Sequence, residues 1–149
     1  MKKMIFPLLT FLWMAVIFSF SANPAEESTQ ISRSVGRMIG EICISEFQEW
    51  PKERQDVFAE RIDYPVRKCA HASEYAILGI LLWLSISEIA EKKMGLYAFV
   101  TGTIYAASDE FHQLYVPGRS GQISDVILDA SGILIGLLLI YTTYRNQKI

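Results

Sequence analysis

Two short stretches hold most of the side chains able to do chemistry. The first, SDEFHQLYVPGRSGQISDVILD (Ser108 to Asp129), gathers four carboxylates, one arginine and one histidine within 22 residues, directly before one of the most hydrophobic runs of the chain. The second, RKCAHASEY (Arg67 to Tyr75), spaces Lys68, His71, Glu74 and Tyr75 by three, three and one. On helices these spacings put Lys68, His71 and either Glu74 or Tyr75 on one face, and Asp109, His112 and Gln113 on another, with Glu110 pointing elsewhere. His71 with Glu74, and Asp109 with His112, could orient one another as acid and base pairs, which makes these four the catalytic candidates. Lys68 and Arg119 could hold an anionic head group. Tyr75, Glu110, Gln113, Asp125 and Asp129 complete the binding candidates, and Tyr75, Phe111 and Tyr115 are expected to line an apolar approach. No cofactor is expected. The alternative is a divalent metal held by the two histidines and several carboxylates and activating water, although no compact H-E-x-x-H motif is present. Nor does any serine or cysteine sit in a G-x-S-x-G context.

The elements that must position these groups are membrane helices. The chain is 149 residues long, 51% hydrophobic and only 20% charged, with a positive mean hydropathy of +0.23, which sets it apart from ordinary soluble domains. A bilayer core about 30 Å thick needs about 20 apolar residues per helix. Stretches near that length run over residues 4–22, 70–87, 94–107 and 123–144, the third being short enough to need tilt, extension or support from its neighbours. The fold class expected is therefore all-α: a single domain, 1–149, forming a bundle of four transmembrane helices. Lys2 and Lys3, Lys92 and Lys93, and Arg145 and Lys148 flank three of the span ends, which the positive-inside rule makes cytoplasmic. The protein is then expected in the cell membrane, multi-pass, with both termini cytoplasmic and 23–68 and 109–122 outside. The first span also has signal-peptide features, with Ser19, Ser21 and Ala22 after the apolar run; a retained anchor is the preferred reading. Net charge is −2 and no basic run suggests a nucleic-acid partner.

Between the first two spans, residues 28–64 form the expected outer amphipathic segment. Ile31, Val35, Met38, Ile39, Ile42 and Phe47 recur at helical spacing, opposite Arg33, Arg37, Glu41 and Glu46. Ser28 is expected to cap this helix, Pro51 to end or interrupt it, and a second, more charged segment to run until Pro65. The segment is read as a lid over the bundle. Cys43 and Cys69 would both face outward, where a disulfide is permitted, yet two cysteines without tight spacing read by default as small apolar residues.

With this topology, both histidines and five carboxylates reach one outer-leaflet depth from three helices, as the wall of a polar cavity open to the outside. A stripe of Asp125, Asp129, Gly132 and Gly136 puts two carboxylates above two glycines suited to close helix approach. Three function classes fit. One is a binding or handling protein for an amphiphile, such as a membrane lipid, a lipid-linked wall precursor or a lipid-tailed antibiotic. The second is an enzyme acting at the same site, by acid and base or with a metal. The third is a proton or ion path, disfavoured because the cytoplasmic half of every span is apolar. A buried ion-pair network serving only as scaffold is the structural alternative, and an expensive one.

The stretches RKCAHASEYAILGILL (Arg67 to Leu82), YAASDEFHQLYVPGRSGQISDVILDASGILIG (Tyr105 to Gly136) and WMAVIFSFSA (Trp13 to Ala22) resemble the VanZ-like membrane proteins. The first two carry that family's K-x-x-H-x-x-E-Y and D-E-x-H-Q…P-G-R…D-x-x-x-D-x-x-G patterns, whereas the segment from Glu26 to Tyr64 carries none of them. Lys68, His71, Glu74, Tyr75, Asp109, Glu110, His112, Gln113, Arg119, Asp125 and Asp129 take the motif places. The family's prototype is associated with low-level resistance to teicoplanin, a lipid-tailed glycopeptide, so the resemblance implies a role in the cell envelope and in antibiotic tolerance.

Overall fold

The computed structural model describes residues 4–87 and 93–147. Among them the chain is all-helical: α1 Ile5–Ser21, α2 Ala25–Cys43, a short 3-10 turn Phe47–Glu49, α3 Lys52–Ser87, α4 Met94–Gln113 and α5 Ile123–Gln147. Two of these, α3 and α5, are long and apolar enough to cross a membrane. The pair α1 and α2 reaches that standard only when taken together across a bend of 104°. Length and composition alone thus support two or three crossings. Lys2, Lys3, Lys92 and Lys148, which carry much of the topology argument, lie outside the described residues.

The α3–α5 interface is built on glycine. A Cβ on Gly132 would run into the carbonyl oxygen of Ala72, one on Gly136 into that of Ala76, and one on Gly79 would come within 2.7 Å of the carbonyl oxygen of Ile133. Absence of side chains at these points lets the two backbones touch, which is how helices associate where lipid removes the hydrophobic drive. Tyr75, Leu78, Leu82, Ile133 and Leu137 fill the space around the contact. Polar bonds fasten α1 to this core: Thr10 and Ser85 share a hydroxyl bond at 2.8 Å, the Trp13 indole donates to the Glu74 carbonyl at 2.9 Å, and the Tyr105 hydroxyl to the Met14 carbonyl at 2.6 Å.

Three expectations about the outer segment need correction. Pro65 ends nothing: α3 runs through it for 36 residues, about 54 Å. Proline removes one backbone bond, but Arg67 reaches back over it to Asp63 at 2.7 Å, and Asp63 also accepts from Ser32 of α2. Ser28 caps nothing either. The helix α2 starts at Ala25 behind Pro24, and the Ala25 amide donates to the Pro117 carbonyl at 3.1 Å. Thirdly, the apolar stripe of α2 is not its packing face. Ser32, Gly36 and Gly40 are the buried positions, with Gly36 set against Ala59 of α3 and Gly40 against Phe47. Ile31, Met38 and Ile42 stay exposed. On the charged side, Arg33 pairs with Glu60 at 2.9 Å and Arg37 with Asp56 at 2.7 Å, exposed contacts of small energetic worth. Cys43 and Cys69 are both free and exposed.

Candidate functional site

A cavity of about 640 Å³ opens between α2 and α3. Its walls are apolar, from Ile31, Val35 and Ile39 on α2 and Ile62, Pro65 and Val66 on α3. At one end the lining turns polar with Asn23, Arg67, His71, Glu74 and Arg119. Beside that end lies a smaller, polar chamber of about 190 Å³, lined among others by Tyr64, Lys68, Gln113, Gln122 and Asp125. Arg67, His71 and Arg119 line both spaces and so form the partition between an apolar trough and a polar chamber.

Local sequence explains how each partition residue is held. Arg67 is anchored through its pair with Asp63 one turn earlier. His71 follows one turn after Lys68, and its Nδ1 lies 3.9 Å from Oδ1 of Asp129 on α5. Lys68 itself pairs with Asp125 and stands 5.2 Å from the centre of the Tyr64 ring. Arg119 comes from a tight turn: its amide donates to the Val116 carbonyl at 3.1 Å, Pro117 takes the second position, and Gly118 has φ +73°. That is the pattern of a type II turn, which needs a positive φ at its third residue. From there the guanidinium donates to the carbonyls of Asn23 at 3.2 Å and Phe20 at 3.3 Å and to the Ser28 hydroxyl at 2.7 Å. The turn thereby clamps the α1–α2 corner. Burial, and after it the charge of Arg67, pull the guanidinium below its ordinary pKa, while Asp109, Glu110 and Glu74 act the other way; an arginine nonetheless stays protonated.

Beneath the chamber lies a buried polar layer. Asp109, Glu110, Gln113 and Asp129 are all nearly inaccessible. The Tyr75 hydroxyl donates to Asp109 at 3.3 Å, and Glu110 accepts from the Gln122 amide at 3.0 Å, fixing the start of α5 to the end of α4. Ser21 and Gln113 also bond to Asp109, whereas both Asp129 oxygens and Glu110 Oε1 have no hydrogen-bond partner among the described residues. Buried polar atoms left in this state are costly and rare, and they concentrate where a structure does something besides fold.

The VanZ/LLP1 family profile matches residues 6–144. The chain belongs to the VanZ/LLP1 family. Neither the curated proteins nor the solved structures give a significant match.

In this VanZ/LLP1 protein, Lys68, His71, Glu74, Gln113, Arg119 and Asp125 come together around the two adjoining spaces. Tyr75, Asp109, Glu110 and Asp129 sit under them in the buried layer, Glu110 turned inward alongside Asp109. His112 stacks beside Phe18, ring centres 4.5 Å apart, and is an electrostatic neighbour of Asp109. Several expectations change. Arg119 is half-buried and tied down at the corner, because Phe20, Asn23 and Ser28 supply acceptors that no local pattern announces. The carboxylate beside the His71 ring nitrogen is Asp129 of α5. Tyr75 is fully buried, and Phe111 and Tyr115 stack on one another at 5.6 Å on the exposed side of α4; none of the three lines the apolar space. Its actual walls, together with Arg67 and Asn23, escaped the sequence reading. An i,i+4 Asp63 and Arg67 pair astride a proline was the available signal. Among the described residues no three His, Cys, Asp or Glu side chains converge as a metal group.

Proposed function

We propose that this VanZ/LLP1 protein binds or handles an amphiphile at the outer face of the cell membrane, an envelope lipid, a lipid-linked wall precursor or a lipid-tailed glycopeptide, and so contributes to teicoplanin-type tolerance. One observation carries the reading: the trough between α2 and α3 is apolar along its length and polar at one end, where His71, Glu74 and Arg119 meet. Such a space matches a molecule with a tail and a head.

The topology that goes with it has four spans and both termini inside. α1 is 17 residues and α4 is 20, about 25 and 30 Å. Leu8 and Phe11 on α1, Val100 and Ile104 on α4, and Leu138 and Leu139 on α5 are exposed, as lipid-facing residues would be. With α1 upright, its 104° turn into α2 lays α2 along the interface, its exposed Ile31, Met38 and Ile42 suited to the headgroup boundary. A second reading, catalysis on the same ligand, has in its favour that His71, whose Nδ1 lies 3.9 Å from Asp129, lines both spaces, the position a general base would need.

The test is teicoplanin sensitivity of susceptible cells expressing wild type, His71→Gln, Glu74→Gln or Arg119→Gln, with membrane abundance measured in parallel. Loss of protection at normal abundance supports a functional site. Protection that merely tracks abundance makes the cluster a scaffold.

A further inference from the structure

We propose that the smaller chamber is a phosphate subsite, so that the ligand of the trough is a lipid phosphate whose tail lies between α2 and α3 and whose head passes the partition into the chamber. This rests on the trough reading above and adds the chemistry of the head.

Charge is the first argument. Arg67, Lys68 and Arg119 line the chamber against one lining carboxylate, Asp125, which Lys68 already engages. Arg67 is likewise engaged, by Asp63, so Arg119, bonded only to neutral acceptors, is the cation of the lining left to meet an anion. A phosphate head keeps a negative charge near neutral pH, whereas a zwitterionic head supplies none.

The donor inventory is the second. Arg119 bonds only to neutral acceptors through Nε and Nη2, and its Nη1 makes no hydrogen bond among the described residues. Arg67 uses Nη2 on Asp63, while its Nε is buried without a partner. Gln113 is only 3% exposed and lines the chamber, its side chain held by Asp109. Arg119, Lys68 and Arg67 are all electrostatic neighbours of His71, so the cations converge on the partition. Arg67 and Lys68 from α3 and Arg119 from the α4–α5 turn thus bring their donors to the lining of one small volume. An anion with three acceptor oxygens satisfies them, where a hydroxyl or a sugar would bring donors of its own.

The experiment uses the full-length protein in nanodiscs and measures binding of decyl phosphate, decylphosphocholine, decanol and inorganic phosphate. The expected result is decyl phosphate binding at least tenfold tighter than the other three. Arg67→Gln and Gln113→Leu should each reduce that preference several-fold. Equal binding of the three decyl compounds overturns the phosphate assignment while the trough reading stands. Inorganic phosphate binding as tightly as decyl phosphate overturns the lipid part, making the chamber a site for the free ion. If no decyl compound binds, the trough reading fails and this inference with it. The head-group comparison on wild-type protein needs no variant, so poor folding of a variant does not blunt the test.

Discussion

Alanine in place of Gly136 should loosen the bundle, although alanine is the better helix former. Replacing glycine within a helix gains about 1 kcal/mol of propensity. Against this, the new methyl would lie inside the contact distance of the Ala76 carbonyl oxygen. A backbone atom cannot swing aside as a side-chain end can, so α3 and α5 must separate, and overpacking of this kind costs about 1–3 kcal/mol. The net loss expected is up to about 2 kcal/mol. Gly132→Ala should lose a little less, the approach to Ala72 being less severe. Gly95→Ala is the control: its new methyl would meet the Trp83 ring at 3.1 Å, a side chain that can give, so the propensity gain is expected to dominate and leave stability unchanged or raised. Titration with SDS in mixed micelles, followed by tryptophan fluorescence, would rank the three. Gly136→Ala as stable as wild type, or Gly95→Ala the more damaging, would refute the claim that backbone contact holds these helices.

Three further outcomes are expected. Asp129→Asn should fold at least as stably as wild type, because it removes a buried carboxylate with no hydrogen bond to either oxygen, while abolishing teicoplanin protection; a loss beyond about 2 kcal/mol in the same titration would show that the carboxylate is well paired. Ile39→Trp, which fills the trough from α2, should lower binding of decanol and decyl phosphate alike by tenfold or more at normal abundance, and unchanged binding would place the tail elsewhere. Arg119→Gln should free the α1–α2 corner, raising hydrogen exchange of the amides from Ala22 to Ser28 at least tenfold; unaltered protection there would mean the clamp is redundant.

Much of the helical content was legible because each helix writes its own period, and the glycines at 132 and 136 announced a contact through spacing alone. The direction of α2 was not legible. In a soluble protein the stripe of Ile31, Val35, Met38, Ile39 and Ile42 would mark the buried side. Next to lipid, close packing goes to small residues, and Ser32, Gly36 and Gly40 take it, leaving the large apolar side chains for the trough and the exterior. The continuity of α3 was hidden for a related reason: Pro65 is a local stop signal, overridden by Ser32 and Arg67 converging on Asp63 from two helices. At the site, the helix spacing of Lys68 and His71 was readable, whereas their carboxylates on α5 and the anchoring of Arg119 depend on pairings distant in sequence.

Because α3 is a single helix, the wall of the trough and the membrane core are parts of one stiff rod. Ile62 and Val66 face the cavity near its middle, and Gly79 and Leu82 grip α5 and the core farther along. Pro65 lies in the cavity wall itself, between Ile62 and Val66. A tail that wedges α2 and α3 apart therefore pushes on the rod about 20 Å from the glycine contact. Occupancy at the membrane surface would then be transmitted inward as a tilt of α3 against α5, without any residue in between having to change partners.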